Sequence, residues 1–131
     1  MACAHALLYA ELNRGSSPVS VLKRVNRYLG QISASPLFVT LLLGILNTRT
    51  GEFHYGRAGH EIPILVNGNG RIEKFPWTQG QLLGMLVDPV IDEQRVVITP
   101  GGMVLLYTDG VVDERNPHGI SFGRDGVIET L

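Results

Sequence analysis

An apolar run, Met103 to Tyr107, leads straight into Thr108-Asp109-Gly110. A carboxylate delivered at the mouth of a buried strand and followed by glycine suits a hard divalent cation. Carboxylate and carbonyl oxygens are the donors that Mg²⁺ and Mn²⁺ prefer, and glycine lets the backbone come close. Aspartate also caps the turn after a strand through its own side chain, so spacing alone leaves Asp109 as either a metal ligand or a turn residue. His60, in Arg57-Ala58-Gly59-His60, lies between two strand-like segments and has three readings: a general acid, a ligand, or a residue satisfying nearby backbone groups. His5 falls on a helical segment, His54 alternates within a strand, and His118 sits in a polar turn. No two of these histidines are two, three or four residues apart, so the spacing of a zinc ligand pair is missing. Cys3 is the single cysteine and reads as a small buried hydrophobe, which excludes an internal disulfide and a multi-thiolate metal site. Asp113 and Glu114 are close enough to share the electrostatics of Asp109, or form a solvated acidic loop.

The elements that must position these residues follow from turn and cap chemistry. Ala2 to Leu12 are helix formers and predict a first helix, broken at Asn13 to Ser16. Ser17-Pro18 supplies a capping hydroxyl and a proline at the first helical position, so a second helix begins there. Val21, Leu22, Val25, Leu29 and Ile32 form its apolar face, with Lys23, Arg24, Asn26 and Arg27 on the other. From Leu37 onward the chain reads as strands. Leu37–Leu46, taken as a buried strand, and Glu52–Arg57 flank Asn47 to Gly51, a connection fit for a bulged hairpin. Ile62–Val66 and Arg71–Phe75 flank Asn67-Gly68-Asn69-Gly70, and Gln94–Thr99 and Met103–Tyr107 flank Pro100-Gly101-Gly102. Three hairpins in succession predict an antiparallel meander with helices on one face, an α+β architecture.

Composition narrows the partners. The 131 residues predict one domain without an internal boundary. Eleven basic and twelve acidic residues are scattered without a basic run, and Tyr9, Tyr28, Tyr55 and Trp77 form no basic-aromatic platform, so no nucleic-acid binding is expected. The longest apolar stretch is about half the ~20 residues of a spanning helix, so no membrane partner is expected. The N-terminus lacks the basic segment and cleavage site of a signal peptide, which predicts a cytoplasmic location.

Taken together, FVTLLLGILNTRTGEFHYGRAGHEIPILV, the later LLGM, TPGGMVLLYTDGVVDERNP and FGRDGVIETL resemble, in order, the stage II sporulation protein E branch of the metal-dependent type 2C serine/threonine phosphatases. PVSVLKRVNRYL resembles that family's second helix. The resemblance implies an α-β-β-α sandwich holding a pair of Mn²⁺ or Mg²⁺ ions. It also implies hydrolysis of phosphoserine or phosphothreonine on a bacterial regulatory phosphoprotein such as an anti-sigma factor antagonist. Asp109 matches the metal-binding aspartate of the family's Thr-Asp-Gly motif. Gly110, Gly59 and His60 are expected to support the site, Gly59 by permitting a tight turn and His60 by a ring hydrogen bond to a neighbouring loop.

The family's earlier aspartate that ligates both ions, its Gly-His-Gly turn and a late aspartate have no counterpart in this sequence. The expectation is therefore a single phosphatase-like domain over residues 1–131, a partial sandwich incomplete at both termini, in which Asp109 is the one recognisable ligand. A catalytically inactive binding or dimerisation module is the alternative. An apolar sheet lacking its covering strands further predicts a homo-oligomer.

Overall fold

A computed structural model of the chain describes residues 8–11, 15–32, 38–73 and 78–131, and for Ile32 the backbone alone. In chain order the elements are α1 (Pro18–Ile32), β1 (Leu41–Leu46), β2 (Glu52–Ala58), β3 (Ile64–Val66), β4 (Ile72–Glu73), β5 (Asp92–Val97), β6 (Met103–Leu105), α2 (Asp109–Val112) and α3 (Gly123–Glu129). Residues 8–11 are also helical, and the rest of the expected first helix lies outside the described residues. The class is α+β, with every strand pair antiparallel. The chain forms two compact units: Met1–His60 with Trp77–Val97, and Glu61–Pro76 with Ile98–Leu131.

In the first unit, α1 begins as its cap predicts. The Ser20 amide donates to Ser17 Oγ at 3.3 Å, and the Val21 amide donates to the Ser17 carbonyl at 3.0 Å. Val21, Leu22, Val25 and Leu29 are buried with Ala58 and Leu83, and Leu41 and Leu43 of β1 pack on this cluster. Full burial of such a side chain contributes about 1.5–3 kcal/mol, so this face anchors the helix to the sheet. Gly56 makes the approach possible, because a Cβ there would lie 3.0 Å from Leu22 Cδ1.

One face assignment changes. Asn26, expected among the polar residues of the helix, is buried, because its amide is matched to a loop sixty residues away. Its Nδ2 donates to the carbonyls of Leu86 at 2.8 Å and Val87 at 3.2 Å, and its Oδ1 accepts from the Gly84 amide at 2.7 Å.

The sheet of this unit has the order β1-β2-β5. The hairpin joining β1 and β2 forms as expected: the Asn47 amide donates to the Glu52 carbonyl at 2.8 Å, and Gly51 takes a φ of 75°. The expected buried strand over Leu37–Leu46 is shorter and more open. Val39 makes an isolated bridge to Leu83, regular pairing starts at Leu41, and Ile45 and Leu46 are exposed. In the described sheet β1 is an outer strand, and the α1-packed cluster includes Leu41 and Leu43 but not the following residues.

The second unit holds the sheet β4-β3-β6. Its hairpin at Asn67–Gly70 forms: the Asn67 amide donates to the Arg71 carbonyl at 2.9 Å, and Gly70 has a φ of 78°. Ile64, Val66, Tyr107 and Val127 are buried together, which seats α3 on this sheet.

The third expected hairpin is corrected. The turn at Thr99–Gly102 exists, with the Gly102 amide donating to the Thr99 carbonyl at 2.8 Å. The strands on either side do not pair with each other, however. Asp92–Val97 pairs with β2 and Met103–Leu105 with β3, so a single meander becomes two sheets. The turn is instead held by distant residues: the Gly68 amide donates to Thr99 Oγ1 at 2.9 Å, and a Cβ on Gly102 would lie 2.8 Å from the Val66 carbonyl oxygen. This turn therefore packs against the β3–β4 hairpin.

Candidate active site

The Thr108-Asp109-Gly110 segment stands where the second sheet hands over to helix. After β6 the chain buries Tyr107, turns at Thr108 in extended conformation (φ −110°, ψ 167°), and enters α2 at Asp109. The helical bonds are made by the backbone: the Val111 amide donates to the Thr108 carbonyl at 3.0 Å, and the Asp113 amide to the Asp109 carbonyl at 2.8 Å. Thr108, not Asp109, occupies the cap position. Asp109 is exposed, and among the described residues its carboxylate has no hydrogen-bond or ion-pair partner. Its side chain is not spent on capping the turn, which leaves both oxygens free to accept.

Arg124 on α3 fixes the end of β6. Its Nη1 donates to Tyr107 Oη and to the Ile62 carbonyl, each at 2.5 Å, and its Nη2 donates to the Pro63 carbonyl at 3.2 Å. Burial pushes the Tyr107 phenol above its ordinary value, partly opposed by the Arg124 charge. A neutral, buried tyrosine held by a guanidinium thus sits two residues before Asp109.

Gly59 and His60 belong to the first unit, Asp109 and Gly110 to the second. Gly59 has a φ of +64°, a backbone conformation that favours glycine, and a Cβ there would lie 2.5 Å from Leu82 Cδ2, whose side chain would have to move. Its amide donates to the Gly80 carbonyl at 3.2 Å. His60 is held at its backbone, since Arg57 Nη1 donates to its carbonyl at 2.7 Å.

That arginine belongs to a buried network which sequence reasoning missed. Arg57 Nε donates to Asp92 Oδ2 at 3.0 Å, and Nη2 donates to the Thr78 carbonyl at 2.5 Å. Thr78 Oγ1 donates to Asp92 Oδ1, which also accepts from Gln94 Nε2 at 2.9 Å. The available signal was strand phase. Phe53, Tyr55 and Arg57 alternate onto one face of β2 and all three are buried, so an arginine in that phase must find a carboxylate.

Among the described residues no group of three or more His, Cys, Asp or Glu side chains could hold a metal ion. A pair of ions ~3.5–4 Å apart needs several converging ligands. Among the described residues no such set of ligands converges on Asp109.

Fold and sequence together place the chain in a known family. The family profile for Stage II sporulation protein E (SpoIIE) matches residues 1–131, and the chain belongs to that family, the SpoIIE-type branch of the type 2C phosphatases. It is 36% identical over 95 residues to Protein IcfG of Synechocystis sp., covering 72% of this chain and 15% of that protein. It is 28% identical over 105 residues to Phosphoserine phosphatase RsbU of Bacillus subtilis, covering 80% of this chain and 31% of that protein. Phosphoserine phosphatase RsbP of the same organism is 26% identical over 113 residues, covering 83% of this chain and 28% of that protein. The chain thus spans less than a third of the length of each of these relatives. Among solved structures, that of the RsbU and RsbW domains of Rv1364c from Mycobacterium tuberculosis matches with a TM-score of 0.73 and 28% identity, covering 88% of this chain and 32% of that one. The architecture is therefore a partial phosphatase fold of the α+β class. Among the described residues no helix is long and apolar enough to cross a membrane.

Proposed function

We propose that residues 1–131 are part of a single domain that hydrolyses phosphoserine or phosphothreonine on a regulatory partner protein, such as an anti-sigma factor antagonist. The observation that carries this reading is the exposed, unpartnered carboxylate of Asp109 at the first residue of α2, within a Thr-Asp-Gly segment of a chain matched throughout by the SpoIIE profile. Two relatives that bear the name phosphoserine phosphatase support it. In this reading Asp109 is one oxygen ligand of a Mn²⁺ or Mg²⁺ pair, and Gly110 lets the backbone pass close to it. Gly59 and His60 shape a supporting turn. The test is phosphate release from a phosphorylated antagonist in the presence of Mn²⁺, comparing the intact protein with its Asp109→Asn variant. Loss of most of the rate is expected. Equal rates in the two proteins would remove Asp109 from the site.

A second reading, an inactive phosphatase-like module that binds a partner or dimerises, is favoured by the lack of a converging ligand group among the described residues. Calorimetric titration with Mn²⁺ separates the two, because tight binding of two ions per chain contradicts the inactive module. Self-association is proposed under either reading. Its support is the exposed apolar end of the first sheet, where Ile45, Leu46 and Val97 stand in solvent. A sedimenting monomer at micromolar concentration would overturn it.

A further inference from the structure

The second unit carries a surface groove of ≈ 790 Å³ lined by residues of α2, of the loop that follows it, and of α3. Val111, Ile120 and Phe122 line it and are 42%, 65% and 42% exposed. Large apolar side chains gathered along one groove, rather than scattered singly, mark an interaction surface. The Phe122 ring lies against α3 at Gly126, where a Cβ would come 2.7 Å from Phe122 Cδ2, so this wall is already shaped before anything binds.

The same groove is acidic. Glu114, Asp125 and Glu129 line it, and among the described residues none of the three has an ion-pair partner. The one guanidinium in the lining, that of Arg115, donates Nη1 to the Gly119 carbonyl at 2.9 Å. The nearby Arg124 is turned toward Tyr107, Ile62 and Pro63. Three carboxylates against one guanidinium leave an uncompensated negative lining around exposed apolar anchors.

We infer that this groove docks a segment of the partner phosphoprotein in which Lys or Arg residues are interspersed with apolar ones. The cations would pair with the lone carboxylates while Ile120 and Phe122 bury the apolar side chains, which combines electrostatic selection with a desolvated centre. Gly110 and Val111, both in the lining, directly follow Asp109. A segment seated here therefore runs past the first turn of α2, next to the candidate ligand. That the bound protein is the substrate rests on the phosphatase reading; the groove's preference for a basic, apolar segment does not.

The experiment uses the intact protein and two fluorescein-labelled peptides, one of Lys, Leu and Ser, the other with Glu in place of each Lys. Fluorescence anisotropy should show the Lys peptide binding and the Glu peptide binding about tenfold more weakly or less. The Glu114→Gln, Asp125→Asn, Glu129→Gln triple variant should lose about tenfold in affinity. The same number of neutralisations at Glu52, Glu73 and Glu93 should change little. Ile120→Ser, at a largely exposed position that the fold does not need, should weaken binding as well. Equal losses in the two triple variants, or unchanged binding in the groove variants, would overturn the inference. Binding is read without turnover: an inactive protein that still selects the Lys peptide keeps the groove and loses the phosphatase reading, and an active one that ignores it does the reverse.

Discussion

Arg57 Nε donates to Asp92 Oδ2 at 3.0 Å with both side chains buried, and the same guanidinium holds the carbonyls of His60 and Thr78. The pair also spans β2 and β5, in which Arg57 and Asp92 are cross-strand neighbours. Removing one member strands a buried charge, which costs about 3–5 kcal/mol, whereas replacing both by apolar residues can be nearly neutral. Arg57→Leu and Asp92→Leu should each lower the urea midpoint strongly, and the double variant should lose much less than the sum of the two. Additive losses would show that the pair does not act as a unit.

Turn and cap chemistry makes much of this fold readable, because such signals are local. Ser17-Pro18 starts α1, and the two Asn-to-Gly connections produce their hairpins with positive φ at Gly51 and Gly70. Strand pairing is not local. The turn at Pro100-Gly101-Gly102 looks the same whether the following strand folds back on its predecessor or joins another sheet. Only the packing against Gly68 and Val66 selects the second. The partners of Asn26 and Arg57 escape a sequence reading for the same reason. The strand phase marks Arg57 as inward-facing, whereas a polar residue on a helix such as Asn26 reads as solvent-facing by default, and in both cases the partners at Asp92 or at Gly84–Val87 enter only once the chain has closed. Asp109 and Gly59, each in its own unit, are legible as residue types at strand ends, while the latch from Arg124 to Tyr107 is not.

Asn26 predicts a second outcome. Its side-chain amide makes three bonds to the backbone at Gly84, Leu86 and Val87. Asn26→Ala removes these part-buried hydrogen bonds, each worth about 0.5–1.5 kcal/mol net. The loss should be concentrated at the loop, so hydrogen exchange should speed up most at the Gly84 amide. Exchange that rises evenly across α1 instead would show that Asn26 acts on the helix rather than on the loop.

Gly59 gives a paired comparison. At a φ of +64° alanine meets the left-handed penalty of about 1–2 kcal/mol, and its Cβ must also displace Leu82. Gly70 has a similar φ, +78°, and a Cβ added there would meet nothing within 4 Å, so alanine at that position meets the backbone penalty alone. Gly59→Ala should therefore destabilise more than Gly70→Ala in denaturant, and Leu82→Ala should cost less in the Gly59→Ala background than in the wild-type protein. Equal destabilisation by the two glycine substitutions would mean that Leu82 yields freely.

Tyr107 makes stability sensitive to alkaline pH, with a sign fixed by burial. Its phenol titrates above the ordinary value of 10.0 because the neutral form is favoured in the folded chain, even though the Arg124 charge pulls the other way. The folded state then keeps its proton at a pH where the unfolded chain has begun to lose it. The resulting contribution is fully present below about pH 10 and is lost as pH rises through the folded value. Tyr107→Phe removes both this contribution and the hydrogen bond from Arg124, the latter at a net cost of about 0.5–1.5 kcal/mol. Below about pH 10 the variant should be less stable by a constant amount. Above it, the wild-type protein should lose stability faster than the variant, so their urea midpoints converge. Curves that stay parallel from about pH 8 to about pH 11 would show that the phenol titrates alike in the folded and unfolded chains.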